Sequence, residues 1–262
     1  MTFVAVPIFV EAPDRVGDAL EQARHAAERG ADIIEWRIDA LPTAGGDAKA
    51  AIRRLVKESP VPCIVTCRSA EEGGRYDGAE AERIELLAFI AQLDDPPRFI
   101  DLELASWPYA NRLREILQSK LDHPPGLILS AHDFEGRPRD LLQRLERMAD
   151  EPLCRVIKLA WRAKSLRDNL EAFELLAHRP SPMIALCMGP FGLPSRVLAP
   201  KFNGFLTFAS LDEDTSSAPG QPTLDELLAG DRFRQISRRT ATYGVIGWPV
   251  AHSLSPVLHN AG

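Results

Sequence analysis

Eight short apolar runs recur along this chain, separated by amphipathic, charged stretches, and that alternation constrains the fold more than any other feature. The runs read as strands: Phe3–Val10, Asp32–Ile38, Cys63–Cys67, Phe99–Leu104, Leu127–Ala131, Arg155–Ala160, Met183–Met188 and Phe205–Phe208. Between them the pattern predicts helices over Asp14–Arg29, Asp47–Lys57, Ala79–Gln92, Tyr109–Gln118, Pro138–Ala149 and Leu166–Ala177. Asp14 has the side chain of an N-cap, and Gly30 suits a C-terminal stop. Strands alternating with helices over about 225 residues predict an α/β fold of the (β/α)8, or TIM, barrel type. The seventh crossover, around Ser195–Lys201, is short and weakly helical. An open doubly wound sheet is the alternative. If it held a dinucleotide it would show a glycine fingerprint after its first strand, and Val10-Glu11-Ala12-Pro13 is not one.

A barrel builds its active site at the C-terminal ends of the strands. The second run carries Glu35 and Arg37, two apart and therefore on one side of the sheet. Arg68 and Glu72 follow the third run, Asp101 and Glu103 lie in the fourth, and His132 ends the fifth. The sixth carries Lys158, one of only six lysines against 25 arginines. Met188 ends the seventh run, ahead of Ser195-Arg196, and Phe208 lies in the eighth, ahead of Ser217 and Gln221. Each has a structural explanation: Glu35 with Arg37 as an interior ion pair, Arg68 bridged to Glu72, His132 at a helix start, Lys158 snorkelling to solvent. Together they favour a site, because polar groups inside a barrel need partners or a purpose.

An amine among apolar residues is costly to charge, and a neutral amine is a nucleophile toward ketones. Beside a histidine it suits imine chemistry, either the dehydration of a β-hydroxy ketone or the carbon–carbon chemistry of a class I aldolase. Arg196 and the hydroxyl-rich segment near Ser217 suit a substrate bearing a carboxylate and hydroxyls. No metal or cofactor is demanded. The net charge of −6 argues against a general nucleic-acid surface, and no stretch reaches the length of a membrane span. The N-terminus lacks the basic region and cleavage site of a secretory signal, and Cys63, Cys67, Cys154 and Cys187 form no zinc set; they read as reduced, buried thiols of a cytoplasmic protein.

Six separated motifs agree in order and type with one family: Glu35-Trp36-Arg37-Ile38-Asp39, Arg68-Ser69 with Gly73-Gly74, Ser130-Ala131-His132-Asp133-Phe134, Lys158-Leu159-Ala160, Met188-Gly189 with Ser195-Arg196, and Ser217-Ala218-Pro219-Gly220-Gln221. The pattern resembles type I 3-dehydroquinate dehydratase over about residues 3–230. The resemblance implies a lyase of the shikimate pathway, hence of aromatic amino acid and chorismate biosynthesis, converting 3-dehydroquinate to 3-dehydroshikimate and water. It implies that Lys158 forms the Schiff base and that His132 is the general acid and base. Glu35 would orient His132 and contact substrate hydroxyls, with Arg37 and Arg68 beside it and either Asp101 or Glu103 behind it. Arg196 would clamp the carboxylate, Ser217 and Gln221 would sit on a closing loop, Met188 and Phe208 would line the pocket, and Glu72 would be a loop acid. The family is often dimeric, so a homodimer is expected by resemblance.

The pattern changes after Gly230. Residues 1–230 are expected to form the barrel, 231–241 a polar, arginine-rich linker, and 242–262 a separate piece. Tyr243-Gly244-Val245-Ile246-Gly247-Trp248-Pro249-Val250-Ala251-His252-Ser253-Leu254-Ser255-Pro256, ending His259-Asn260, resembles the first strand and substrate loop of shikimate dehydrogenase. In that family the serines matching Ser253 and Ser255 bind the substrate carboxylate. The chain is thus expected to be the front part of a bifunctional dehydratase–dehydrogenase with a truncated second domain. One strand and a loop bury no core of their own, so an oxidoreductase activity is not expected here.

Overall fold

Alternate side chains of a strand point to opposite faces, so a strand that is apolar on both faces must be covered on both. Eight strands of this chain meet that condition: β1 (Phe3–Phe9), β2 (Ile33–Arg37), β3 (Cys63–Thr66), β4 (Phe99–Glu103), β5 (Gly126–Asp133), β6 (Cys154–Arg162), β7 (Met183–Met188) and β8 (Leu206–Phe208). The computed structural model describes residues 1–119, 123–213, 220–245, 247, 249–250 and 252–260. All strand pairings are parallel, in the order β7-β6-β5-β4-β3-β2-β1-β8. The amide of Phe205 donates to the Met183 carbonyl at 2.8 Å and draws β8 back toward β7, which gives a nearly closed (β/α)8 barrel.

The crossovers carry α1 (Val16–Glu28), α2 (Ala48–Lys57), α3 (Glu80–Ala91), α4 (Asn111–Gln118), α5 (Leu141–Ala149), α6 (Asp168–Ala177) and the single-turn α7 (Leu193–Val197). Helix starts differ from expectation where a 3-10 turn comes first. Asp14 lies inside the turn Pro13–Arg15 and caps nothing. Asp47 does cap α2, accepting from the Ala50 amide at 2.9 Å. Gly30 ends α1 at φ +103°, a conformation that strains any side chain. All four cysteines are free; Cys154 is half-buried and the other three are buried.

One face of the strands packs under the helices through residues such as Ile34, Trp36, Leu102, Leu129 and Trp161. The other face fills the barrel. Ile33, Ile64, Phe99, Ile128, Val156, Ile184 and Leu206 form an apolar plug there. Two residues further along, the inward positions of β2 to β6 become Glu35, Thr66, Asp101, Ser130 and Lys158, while those of β7 and β8 stay apolar as Leu186 and Phe208. A register shift between β5 and β6 sets this alignment: Leu127 pairs with Cys154, but Ile128 pairs with Val156, so Arg155 is the extra residue. Beyond it Lys158 stands beside Ser130, which brings the amine inside.

Residues 231–240, expected as a linker, are docked on the barrel. Phe233 is 1% exposed within the core, and Arg234 donates to Asp32 and to the Gly30 carbonyl, both at 2.8 Å. Lys201 Nζ reaches the Thr240 carbonyl at 2.5 Å. Beyond that point a short helix, α8 (Ser255–Asn260), forms, and Tyr243, Leu254 and Leu258 are exposed. Ile246, Trp248 and Ala251 of the dehydrogenase-like motif lie outside the described residues.

Candidate active site

The polar inner positions open into a cleft at the C-terminal ends of the strands. Glu35, Arg37, Arg68, Glu72, His132, Lys158, Met188, Arg196 and Phe208 all line it. Lys158 is 6% exposed. Its Nζ donates to Asp101 Oδ2 at 2.8 Å, lies 3.7 Å from Glu35 Oε1 and sits 4.7 Å from the centre of the Phe208 ring. Two carboxylates thus stand against the amine. A buried ammonium is tolerated only with such partners.

Asp101 is shared. Its Oδ1 accepts from Arg68 at 2.7 Å and from the Ser130 hydroxyl at 2.6 Å, which leaves Oδ2 for Lys158. Burial opposes charge on Asp101, but Arg68 and Lys158 outweigh it and hold the carboxyl well below the usual carboxylate range. Arg68 also contacts Glu103 at 3.1 Å and Ser130 at 2.8 Å, so it bridges to β4 and β5 and not to Glu72.

His132 corrects two expectations. Its partner is Glu72, whose Oε2 lies 2.9 Å from Nδ1 and also accepts from the His132 amide at 3.0 Å. Glu35 instead accepts from Thr66 at 2.8 Å and faces Lys158; neither Asp101 nor Glu103 bonds to the imidazole among the described residues. Burial, with Arg68 and Lys158 nearby, pushes the His132 pKa well below its ordinary value, so the ring is neutral. An Nδ1–H aimed at Glu72 leaves the Nε2 lone pair free to act as a base. Burial likewise raises the Glu72 carboxyl to about 7.

The turn that holds Glu72 is shaped by Gly73 and Gly74. Gly73 has φ +78°, and a Cβ there would stand 2.3 Å from the Phe134 ring; one on Gly74 would meet the Arg68 carbonyl at 2.1 Å. Asp39 ties the same turn to β2: it accepts from the Arg37 guanidinium at 2.5 Å, the Arg68 amide at 2.9 Å and the Arg75 amide at 3.3 Å. Arg37 therefore pairs with Asp39 and not with Glu35.

On the opposite wall Arg196 is 2% exposed, and its Nε has no acceptor among the described residues. Burial pulls its pKa down to about 10. A buried guanidinium without an anion is prepared to receive one. Gln221 is buried in the neighbouring cleft beside Leu193 and Pro222, off the wall of the main one, and Ser217 lies outside the described residues. Gly220 brings this segment to the site: a Cβ there would stand 2.3 Å from the Gly189 carbonyl at the end of β7. Sequence reasoning missed the roles of Thr66, Asp39 and Phe134, and missed Arg83 altogether. An arginine flanked by Ile84, Leu86 and Leu87 on the buried side of α3 was the available signal.

Residues 4–238 match the family model described as type I 3-dehydroquinase. The bifunctional 3-dehydroquinate dehydratase/shikimate dehydrogenase, chloroplastic, of Arabidopsis thaliana is 34% identical across 99% of this chain, which spans 42% of that protein's length. The 3-dehydroquinate dehydratase of Methanosarcina barkeri is 34% identical over 80% of this chain and 88% of its own. The solved structure of 3-dehydroquinate dehydratase from Geobacillus kaustophilus superposes with a TM-score of 0.74 at 26% identity, covering 87% of this chain and 88% of its own.

Proposed function

This chain belongs to the type I 3-dehydroquinase family, and from that membership we propose that it dehydrates 3-dehydroquinate to 3-dehydroshikimate through an imine on Lys158. The reaction is a step of the shikimate pathway. Lys158 reacts as the free amine, so its ion pair with Asp101 opens first. The amine adds to the C3 ketone and expels water, giving an iminium. The iminium draws electrons from C2, whose proton passes to the neutral His132. The C1 hydroxyl then leaves with that proton as water. A water hydrolyses the imine, and Lys158 is released. Two waters leave and one enters, so one is lost in all.

The observation that carries this reading is a nearly inaccessible amine in the cleft, at the same rim as a neutral histidine. With its proton on Nδ1, 2.9 Å from Glu72, His132 is in the tautomer a base requires. The Arg196 Nε, without an acceptor among the described residues, supports the carboxylate clamp, and Met188 and Phe208 supply the apolar wall. Glu35, Arg37 and Arg68 face the substrate hydroxyls; by family resemblance Ser217 and Gln221 are assigned to substrate binding.

The test is incubation with 3-dehydroquinate, reduction with borohydride and mapping of the adduct by mass spectrometry. A product-like adduct on Lys158, absent together with turnover in Lys158→Ala, is the expected result. Turnover without an adduct, or activity in Lys158→Ala, sinks the mechanism.

Residues 242–262 are further proposed to begin a shikimate dehydrogenase-like domain. The Arabidopsis relative supports this, because its similarity covers 99% of the chain whereas the family match ends at residue 238. A cytoplasmic homodimer is the proposed assembly. Sedimentation and localisation of a tagged protein test its two parts. Among the described residues, no helix is long and apolar enough to cross a membrane.

A further inference from the structure

Helix α3 carries an arginine that neither lines the cleft nor reaches solvent. Arg83 is 0% exposed, and its donors are met from three directions. Nε and Nη2 donate to Glu80 at 2.8 and 2.7 Å, and Nη2 also to Ser106 Oγ at 2.7 Å. Nη1 donates to the Cys67 carbonyl at 2.6 Å and to Glu103 Oε2 at 2.5 Å. The other Glu103 oxygen takes Arg68 Nη1 at 3.1 Å and the Ser69 amide at 3.0 Å. Arg68 reaches Asp101 Oδ1, and Asp101 Oδ2 holds Lys158. Charges thus alternate from the outer helix to the amine: Glu80, Arg83, Glu103, Arg68, Asp101, Lys158.

We propose that Arg83 is a positioning residue for the dehydration, acting through Glu103 and Arg68 to fix the Asp101 carboxylate against Lys158. The inference rests on Lys158 as the imine-forming residue. Its physical basis is the division of oxygens. Arg83 occupies one oxygen of Glu103, so Arg68 receives the other end-on. That leaves the Arg68 guanidinium free to grip Asp101 and Ser130 with its remaining donors. Without Arg83 the buried Glu103 has an unmet oxygen, and the remedy at hand is a bidentate pair with Arg68. That pairing turns Arg68 away from Asp101 and releases the carboxylate that sets the amine. Glu103, Arg68 and Asp101 are each 4% exposed or less, so bulk water does not take over the lost contacts. A role limited to pinning α3 on the strand ends would cost stability alone.

The experiment compares wild type, Arg83→Met, Arg83→Lys, Glu103→Gln and the double variant Arg83→Met/Glu103→Gln. Turnover is counted per site trapped with 3-dehydroquinate and borohydride, so that misfolded protein does not contribute. Arg83→Met is expected to lower kcat roughly ten- to a hundredfold and to leave KM within about twofold, with Arg83→Lys recovering part of the loss. In the Glu103→Gln background, Arg83→Met should add little, because both act along one path. Unchanged kcat per trapped site, or losses that multiply, overturns the proposal. If Arg83→Met does not fold, Glu80→Gln and Ser106→Ala loosen the same guanidinium from its outer side. Lowered kcat at constant KM in either then supports the role, and unchanged kcat in both refutes it. A wild type with neither adduct nor turnover refutes the Lys158 reading itself; an active wild type beside an unimpaired variant refutes Arg83 alone.

Discussion

Replacing Asp101 by asparagine keeps the shape of the side chain and removes the anion that stands nearest Lys158 among the described residues. At 2.8 Å the Coulomb attraction of that pair is about 6 kcal/mol at an effective dielectric constant near 20. Part of it is recovered in the variant, because Glu35 stands 3.7 Å from the amine and Arg68 keeps Glu103. Breaking a buried pair from one side costs roughly 3–5 kcal/mol. There is also a ceiling: discharging a lysine of ordinary strength costs roughly 4.6 kcal/mol at pH 7 and roughly 1.9 kcal/mol at pH 9. Asp101→Asn should therefore lose about 3–4.5 kcal/mol at pH 7, and the deficit should narrow as the pH rises to 9. For a chain of this length that is a fall in Tm of roughly 10 °C. Urea unfolding at pH 7, 8 and 9, followed by tryptophan fluorescence, measures it. The sign below neutrality is set by the depressed Asp101 carboxyl. Its contribution is whole above the ordinary aspartate value of about 3.8 and is lost only as the pH falls below that, so the deficit is flat between pH 5 and 7 as far as Asp101 is concerned. A deficit under about 1 kcal/mol, or one that grows from pH 7 to 9, would refute the buried ion pair as the amine's support.

His132 and Glu72 contribute opposite pH dependences to stability. The depressed His132 loses stability as the pH falls below about 6.5, and the raised Glu72 gains it as the pH falls through about 7, each by at most about 1.4 kcal/mol per pH unit. Glu72→Gln should therefore leave a protein that weakens from pH 7 to 5, and His132→Gln one that strengthens; denaturant titrations showing the same slope in both would contradict the assignment. Gly73→Ala should destabilise by more than about 1 kcal/mol and lower kcat, since a Cβ at φ +78° meets the Phe134 ring and displaces Glu72 from His132. Normal kcat and Tm in that variant would show that the turn does not hold Glu72. Arg196→Ala should raise KM for 3-dehydroquinate by ten- to a hundredfold, the worth of a charge-assisted contact of roughly 1.5–3 kcal/mol, and an unchanged KM would remove the carboxylate clamp.

The barrel was readable because its signals are local. Short apolar-rich runs such as Ile33–Arg37, buried on both faces and followed by amphipathic helices, need no knowledge of distant residues. The rim was readable for the same reason: polar residues two apart, such as Glu35 with Arg37 or Asp101 with Glu103, mark inward positions beyond an apolar plug. Helix starts were less accurate where Pro13 and Pro108 open 3-10 turns that hydropathy does not register. The docked stretch up to Thr240 was missed because one buried side chain, Phe233, gives no periodic signal.

Composition and spacing determined the residue types at the mouth of the barrel: one amine, one imidazole and a surplus of arginines and carboxylates, each placed on a strand end by its own run. They left open which carboxylate answers which cation. Glu35, Glu72, Asp101 and Glu103 are interchangeable to a reader of the chain, and Glu35 was expected to orient His132 where Glu72 does so. Those choices depend on the stagger of neighbouring strands, on the extra residue at Arg155 that turns Lys158 inward, and on the Gly73–Gly74 turn that swings Glu72 across 60 positions to His132. Strand direction is written every two residues, whereas an ion pair is settled over a few ångströms between segments that meet only when the ring of strands closes.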